Sequence, residues 1–111
     1  MVVHLSLSDG EVDRIFRALA DTTRRDILRR SLDNQASVSQ LAAAYAMSFA
    51  AVQKHVAILE GAGLVTKKQR GRERVVSGNP EAVARAGALL ESYEQIWRDR
   101  VTQLDALLTE D

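Results

Sequence analysis

The chain has no cysteine, only one proline and few aromatic residues. Without cysteine it can form neither disulfide bonds nor thiolate metal sites. It lacks an apolar run long enough to span a bilayer, and its first ten residues lack the basic and apolar regions of a signal peptide. These absences predict a soluble, cytoplasmic protein without a membrane partner. Its 111 residues, of which 46% are hydrophobic, suffice for one domain with a modest core.

Acidic and basic residues balance to a formal net charge of zero, but they are unevenly distributed. Residues 1–63 contain seven residues of each sign. Residues 64–78 contain five basic residues and one acid, for a net charge of +4, whereas residues 79–111 carry −4. A chain polarised in this way can turn a basic face to DNA phosphates while its acidic end faces away.

Start signals predict the first three helices. Ser8 and Glu11 have the spacing of a capping box, which places the start of the first helix near Asp9. Asp21 can cap a second helix that ends near Leu32. A second capping-box pattern at 37–40 then opens a short third helix.

Similar signals delimit the second half of the chain. Ser48 is the expected cap of a fourth helix, and Gly63 its stop, because glycine adopts the left-handed conformation without steric cost. A hairpin with Arg70-Gly71-Arg72 at its tip should follow. Asn79 is the expected cap of a last helix that continues to about Leu108.

This order of elements predicts a mainly α fold with a small β-hairpin wing, an α+β winged helix-turn-helix. We expect a single domain over residues 1–111. Its N-terminal helices should occupy 9–36, the helix-turn-helix 37–63, the β-wing 64–78 and a C-terminal dimerisation helix 79–108.

The fourth helix is the expected recognition helix, whose N-terminal residues reach base edges in the major groove. Gln53 can form two hydrogen bonds with adenine, and Lys54 can reach guanine or a phosphate. Ser48 can contact a phosphate while it caps the helix. The small side chains of Ala50 and Ala51 permit a close approach and contact with a thymine methyl group.

Further candidate contacts flank this group. His55 either binds a phosphate or holds the helix in place through a backbone partner. Arg70, Arg72 and Arg74 should contact phosphates or the minor groove from the wing, with Arg72 the strongest candidate because it lies at the tip.

The last helix has a wider apolar stripe than a small domain needs to cover one side of its core. We therefore expect a homodimer built mainly on this helix, with the first helix packed beside it. The alternative is a helix that folds entirely onto its own subunit. The predicted interface residues are Leu90, Tyr93, Trp97, Val101, Leu104 and Leu108.

Several segments, in this order, resemble the ArsR family of winged helix-turn-helix transcriptional regulators. They are IFRALADTTRRDIL, MSFAAVQKHVAILEGAGLV, RGRERVV and YEQIWRDRVTQLDALL. Thr22 stands where the family pattern has proline, and Val56 where it has leucine. The family position of Gln53 is often serine, which suggests a different operator preference. Arg24 and Arg25 resemble the family's arginine pair, for which we expect salt bridges within the domain.

The resemblance implies a dimeric repressor or dual regulator, and also autoregulation, which is common in the family. The sequence has no Gly-rich phosphate loop, nucleophile elbow or cysteine, so we do not expect an enzyme. Many relatives sense metals through cysteine in the helix before the turn or through Asp and His on the last helix. Here the segment SVSQLAAAY has neither Cys nor His, the last helix has no His, and His4 lies near the N-terminus. Soft metals need thiolates and zinc prefers Cys or His, so the chain resembles a branch without the usual metal-site residues. No metal or cofactor is expected, and the effector is unknown.

Two functions remain open at this stage. The first is a dimer that binds double-stranded DNA at an inverted repeat, with half-sites about one helical turn apart, roughly 34–36 Å. The second is a winged-helix interaction and dimerisation adaptor without specific DNA binding. The basic wing, Gln53 and Lys54 favour the first, whereas the neutral net charge and the alanine-rich recognition helix leave room for the second.

Overall fold

The computed structural model describes residues 7–109, so His4 lies outside the described part of the chain. Its elements follow the predicted order. In sequence they are α1 (Asp9–Leu19), α2 (Thr22–Asp33), β1 (Ala36–Ser37), α3 (Val38–Ala43), α4 (Phe49–Gly61), β2 (Val65–Arg70), β3 (Glu73–Gly78) and α5 (Pro80–Thr109). The predicted helix boundaries agree with these to within a residue or so.

Each of the five helices between residues 7 and 109 begins at a side chain that accepts a hydrogen bond from a backbone N–H of its first turn. These capping residues are Ser8, Asp21, Ser37, Ser48 and Asn79. All five were predicted, and both capping boxes are complete. Such a cap stabilises a helix by about 1 kcal/mol relative to alanine.

The recognition-helix segment also ends as its sequence predicts. Gly63 has a φ of +75°, in the left-handed region that favours glycine. The Leu64 N–H donates to the Leu59 carbonyl at 3.0 Å, which satisfies a backbone acceptor that the end of α4 would otherwise leave free. The chain thereby reverses directly into β2.

The β-sheet has three strands rather than the predicted two. Its order is β1-β3-β2, and both pairings are antiparallel. In the added strand, Ala36 pairs with Val76 and Ser37 with Val75. This strand was missed because it is two residues long and forms only through pairing with a distant segment. It anchors the wing to the start of α3.

A single apolar cluster joins the helices to the sheet. In α4, Val52, Val56 and Leu59 have no exposed surface. The cluster also includes residues from α1, α2, α3, the connection to β2, β2, β3 and the first third of α5, among them Ile15, Ile27, Leu41, Leu64, Val65, Val76, Ala82 and Ala86. The core thus fixes which side of α4 faces inward.

Close packing of β3 on α2 requires glycine at position 78. A Cβ added to Gly78 would lie 2.6 Å from Leu32 Cδ2 and 2.9 Å from Leu32 Cα. Because one of these atoms belongs to the backbone, a rotamer change of Leu32 could not relieve the overlap. The contact sets the position of the sheet, and therefore of the wing, relative to α2.

The long helix α5 leaves the core after Leu89 and continues away from it. Residues 93–109 are all exposed, so the alternative of a helix folded entirely onto its own subunit is wrong. The described chain measures 71 × 28 × 23 Å, and its radius of gyration is 18.7 Å. A compact chain of this length has a radius of about 13 Å. Although α5 has 30 residues, no helix between residues 7 and 109 is apolar enough over sufficient length to cross a membrane.

Candidate nucleic-acid interface

The recognition helix α4 exposes a face of small and polar side chains. This face lies opposite the buried side of the helix because residues spaced by three and four positions share a side. Its exposed members include Ala50, Gln53, Lys54 and Ala57. The first three are among the predicted base or phosphate contacts, and they lie in the N-terminal half of the helix, which enters the groove in this class of motif.

At the start of α4, Ser48 is exposed, and its Oγ accepts the Ala51 N–H at 3.1 Å. The hydroxyl hydrogen is not used by this contact and can be donated to a phosphate. Ala51 itself is half-buried, so it is less accessible than Ala50. Phe49, which the sequence reasoning did not place in the site, is 48% exposed and offers apolar surface suited to a thymine methyl group. Its position off the apolar stripe was the signal for this exposure.

His55 lies at the edge between the exposed and buried sides of α4. Its Nδ1 is 3.3 Å from Arg24 Nη1 and 3.8 Å from Asp21 Oδ2. The sequence left open a phosphate or a backbone group as its partner. In the structure, both partners of Nδ1 are side chains, and they belong to α2 and its cap.

The expected salt bridges of the arginine pair are replaced by contacts with carbonyl groups. Arg24 donates to the carbonyls of Arg17 and Ala18, at 3.0 and 2.8 Å. Arg25 Nη1 donates to the Leu19 carbonyl at 2.7 Å. The prediction of salt bridges was wrong because the last turn of α1, which lacks intrahelical donors for its carbonyls, lies next to both side chains.

The three wing arginines are exposed but do not share a face. Arg70 pairs across the hairpin with Glu73, and Arg74 pairs with Gln69. Paired residues project to the same side and consecutive residues to opposite sides, so Arg70 and Arg74 lie on opposite faces. Arg72 is in the connecting turn, beside Gly71, whose φ is +61°.

One basic residue of the wing is turned towards α4 and is only partly exposed. Lys67 Nζ lies 3.7 Å from Glu60 Oε1, and only 15% of the Lys67 side chain is exposed. This pair joins β2 to the end of α4. Lys67 therefore anchors the wing, and the basic charge available to DNA comes from Lys68 and the three arginines.

A polar cluster connects α2 to the turn before α4. Asp26 accepts hydrogen bonds from the Tyr45 hydroxyl, from Arg29 Nη2 at 2.6 Å and from Arg30 Nε at 2.8 Å. The Arg30 guanidinium also lies over the Tyr45 ring, 5.5 Å from its centre. The Tyr45 hydrogen bond, followed by those from the arginines, holds the pKa of Asp26 well below its usual range. Burial, together with the hydrogen bond to Asp26, raises the pKa of Tyr45 to about 12.

The predicted dimer residues form an exposed stripe along the projecting part of α5. All six, Leu90, Tyr93, Trp97, Val101, Leu104 and Leu108, are exposed. On the first helix, Phe16 is also exposed. Within residues 7–109 there is no group of three His, Asp or Glu side chains placed to hold a metal ion.

The helix-turn-helix, the antiparallel wing and the exposed recognition face define a winged helix-turn-helix DNA-binding domain of a transcriptional regulator. A family model described as "Bacterial regulatory protein, arsR family" matches residues 21–67. YuzN of Bacillus subtilis (strain 168), an uncharacterized HTH-type transcriptional regulator, is 41% identical over 80 residues, or 66% of this chain and 87% of YuzN. The chain belongs to the ArsR family of transcriptional regulators, which are not enzymes.

Two solved structures agree with this assignment. The ArsR family transcriptional regulator RHA00566 has a TM-score of 0.77 and 32% identity, over 83% of this chain and 95% of that one. The second is the homodimeric winged helix-turn-helix DNA-binding domain of Mb0332 from Mycobacterium bovis, a possible ArsR-family regulator. It has a TM-score of 0.64 and 26% identity, over 86% of this chain and 91% of that fragment.

The lowered pKa of Asp26 predicts how acid affects stability. The folded protein keeps this carboxylate charged below pH 3.8, where the unfolded chain takes up a proton, so its stabilisation is complete above that value and is lost as the pH falls further. We expect Asp26→Asn to lower the free energy of unfolding at neutral pH by about 1–2 kcal/mol. The variant should also lose less stability on acidification than the parent, as measured by urea unfolding across this pH range. Asp13→Asn, at an exposed acid of α1, is the control; identical pH profiles for Asp26→Asn and the parent would refute the assignment.

Proposed function

We propose that the protein is a dimeric repressor that binds an inverted-repeat operator. In this proposal α4 enters the major groove of each half-site, and the half-sites are about one helical turn apart, roughly 34–36 Å. The observation that carries the proposal is the division of α4 into a fully buried apolar side and an exposed small and polar side. The alanines of the exposed side allow the backbone of α4 to come close to DNA bases. A surface helix that does not enter a groove has no need for such an approach.

The predicted contact residues near the start of α4 have distinct roles in this proposal. Gln53 reads adenine through two hydrogen bonds, and Lys54 contacts guanine or a phosphate. Ala50, with half-buried Ala51 behind it, brings the backbone close to a thymine methyl group. Ser48 donates its hydroxyl hydrogen to a phosphate at the edge of the groove.

The wing supplies contacts that do not depend on sequence. Because Arg70 and Arg74 lie on opposite faces of the hairpin, they cannot both face the same phosphate. We propose that Arg72, in the turn, enters the minor groove, while the other two arginines approach the phosphates on either side of it.

Dimerisation is proposed to bury the apolar stripe of α5 against a second copy, with α1 beside it. An exposed apolar surface of this extent marks an interaction site in a folded protein. The solved domain of Mb0332, similar over most of this chain, is homodimeric. Two recognition helices related by a twofold axis would then fit the twofold symmetry of an inverted repeat.

Repression follows from occupancy in this proposal. A dimer seated on an operator that overlaps a promoter blocks access of the polymerase to that DNA. We propose that one such operator lies in the protein's own upstream region, which makes it autoregulatory, and that it acts in the cytoplasm, where bacterial DNA resides.

Base recognition by α4 can be tested with the purified chain and a pool of random duplexes. We expect repeated selection for binding to enrich an inverted repeat. Gln53→Ala should weaken binding to the enriched site about 10-fold or more, the value of one bidentate base contact, and leave binding to a scrambled duplex unchanged. The control is Gln95→Ala, at an exposed glutamine on α5. Fluorescence anisotropy measures the affinity of each variant for the enriched and the scrambled duplex. A pool without any enriched sequence would favour an adaptor without specific DNA binding.

The contribution of the wing to DNA affinity can be distinguished from that of the recognition helix by how the affinity depends on salt concentration. Arg72→Ala should weaken specific and non-specific binding by similar factors. In the minor groove the charge of Arg72 lies between the two phosphate backbones and displaces counterions, so the variant should also reduce the slope of log affinity against log salt concentration by about 0.9, the value for one neutralised phosphate. Arg98→Ala, which removes an exposed arginine paired with Glu94 on α5, should leave the slope unchanged. Equal slopes for the parent and Arg72→Ala would exclude the proposed wing contact.

The dimer interface can be tested on α5 by adding charge to its stripe. Trp97 is 63% exposed in the single chain, and Trp97→Glu would bury a charge at the centre of the proposed interface. We expect the dimer dissociation constant to rise at least about 10-fold. Sedimentation equilibrium would measure this change. Thr102→Glu adds the same charge on another side of the exposed helix, and a matching response from both variants would contradict the assigned stripe.

A further inference from the structure

Three helices meet at a single guanidinium group. Arg24, in the first turn of α2, donates from Nε to the Ala18 carbonyl at 2.8 Å and from Nη2 to the Arg17 carbonyl at 3.0 Å. Both carbonyls are in the last turn of α1. The remaining nitrogen, Nη1, lies 3.3 Å from Nδ1 of His55 in α4. No other side chain of the described residues forms hydrogen bonds with both α1 and α4.

This geometry determines which nitrogen of His55 carries the proton. A guanidinium group can only donate hydrogen bonds, so Nδ1 must accept and the proton of a neutral ring lies on Nε2. The Asp21 carboxylate, 3.8 Å from the same Nδ1, accepts the Arg24 backbone N–H at 3.0 Å and so helps to hold Arg24 in place. The Nε2–H of His55 has no hydrogen-bond partner among residues 7–109.

We propose that Arg24 is a positioning residue for DNA recognition. It holds His55 as an Nε2–H donor to the DNA backbone, and it fixes the orientation of α4 relative to α1. Because α1 flanks the proposed dimer interface, the same contact ties the direction of the recognition helix to the dimer. This inference rests on the proposed binding of DNA by α4.

The neighbouring arginine provides a matched control. Arg25 also donates to a carbonyl at the end of α1, that of Leu19, but it has no hydrogen bond with α4. Arg24→Ala and Arg25→Ala therefore each remove an arginine of α2 that donates to carbonyls at the end of α1. Only the first removes the contact with the recognition helix.

The experiment measures selectivity, defined as the affinity for the enriched duplex divided by that for a scrambled one. We expect Arg24→Ala to lower selectivity about 10-fold, the effect of losing one hydrogen bond to a charged group, and Arg25→Ala to leave it unchanged. Arg24→Lys keeps the charge but not the planar fork, so it should behave as Arg24→Ala does. His55→Ala should cause a similar loss in a protein that keeps the contacts between Arg24 and α1.

A double variant and a spectroscopic measurement separate positioning from a general loss of structure. In the His55→Ala background, Arg24→Ala should lower selectivity little further if it acts through His55. Nitrogen-15 NMR of the full parent chain should show His55 with its proton on Nε2, as donation from Arg24 to Nδ1 requires, with His4→Gln used to assign the two rings.

The results that would overturn the inference are distinct from failure of the proposed function. A parent protein without selective binding would remove the proposed function itself. Selective binding by the parent with equal selectivity in the Arg24 and Arg25 variants would refute only the positioning role. A His55 ring protonated on Nδ1 in the folded parent would do the same. If Arg24→Ala does not fold, His55→Ala and the NMR signature of the parent still decide the question.

Discussion

The structure depends above all on the complete burial of one side of α4. Val52, Val56 and Leu59 are without exposed surface, and α1, α2, α3 and β2 all pack around this helix. Burial of each such side chain stabilises the folded state by roughly 1.5–3 kcal/mol. Any rotation of the helix that exposed these side chains would therefore be costly. The exposed face of α4 is thus fixed by its buried face. Polar contacts then refine the arrangement, with Arg24 on one side of the helix and the Lys67–Glu60 pair at its end.

The sequence was most informative where a structural feature depends on residues close together in the chain. A helix cap is a contact between residues three positions apart, as in Ser37 and Gln40, so its signal is fully visible in the sequence. The same holds for the left-handed conformation of Gly63 and for the periodic burial along α4. For these reasons the helices, their order and the exposed positions of α4 could be predicted.

Features that depend on distant pairing could not be predicted in this way. Strand β1 exists only because it lies beside β3, which follows it by almost 40 residues. The partners Arg24 and His55 are 31 residues apart, and their meeting depends on how α2 packs against α4. Likewise, the register of the hairpin determines which residues lie opposite Arg70 and Arg74. The identity of the two arginines does not indicate this register.

The projecting half of α5 would make operator occupancy depend steeply on protein concentration. A protomer without a partner leaves an apolar stripe in water, so the proposed pairing through this helix would be favoured increasingly as protein concentration rises. If the paired form is the one that occupies an operator, occupancy at low abundance grows with the square of the protein concentration. Small changes in synthesis or degradation would then be amplified at the promoter, and the threshold of the response would be set by the strength of one helix pair.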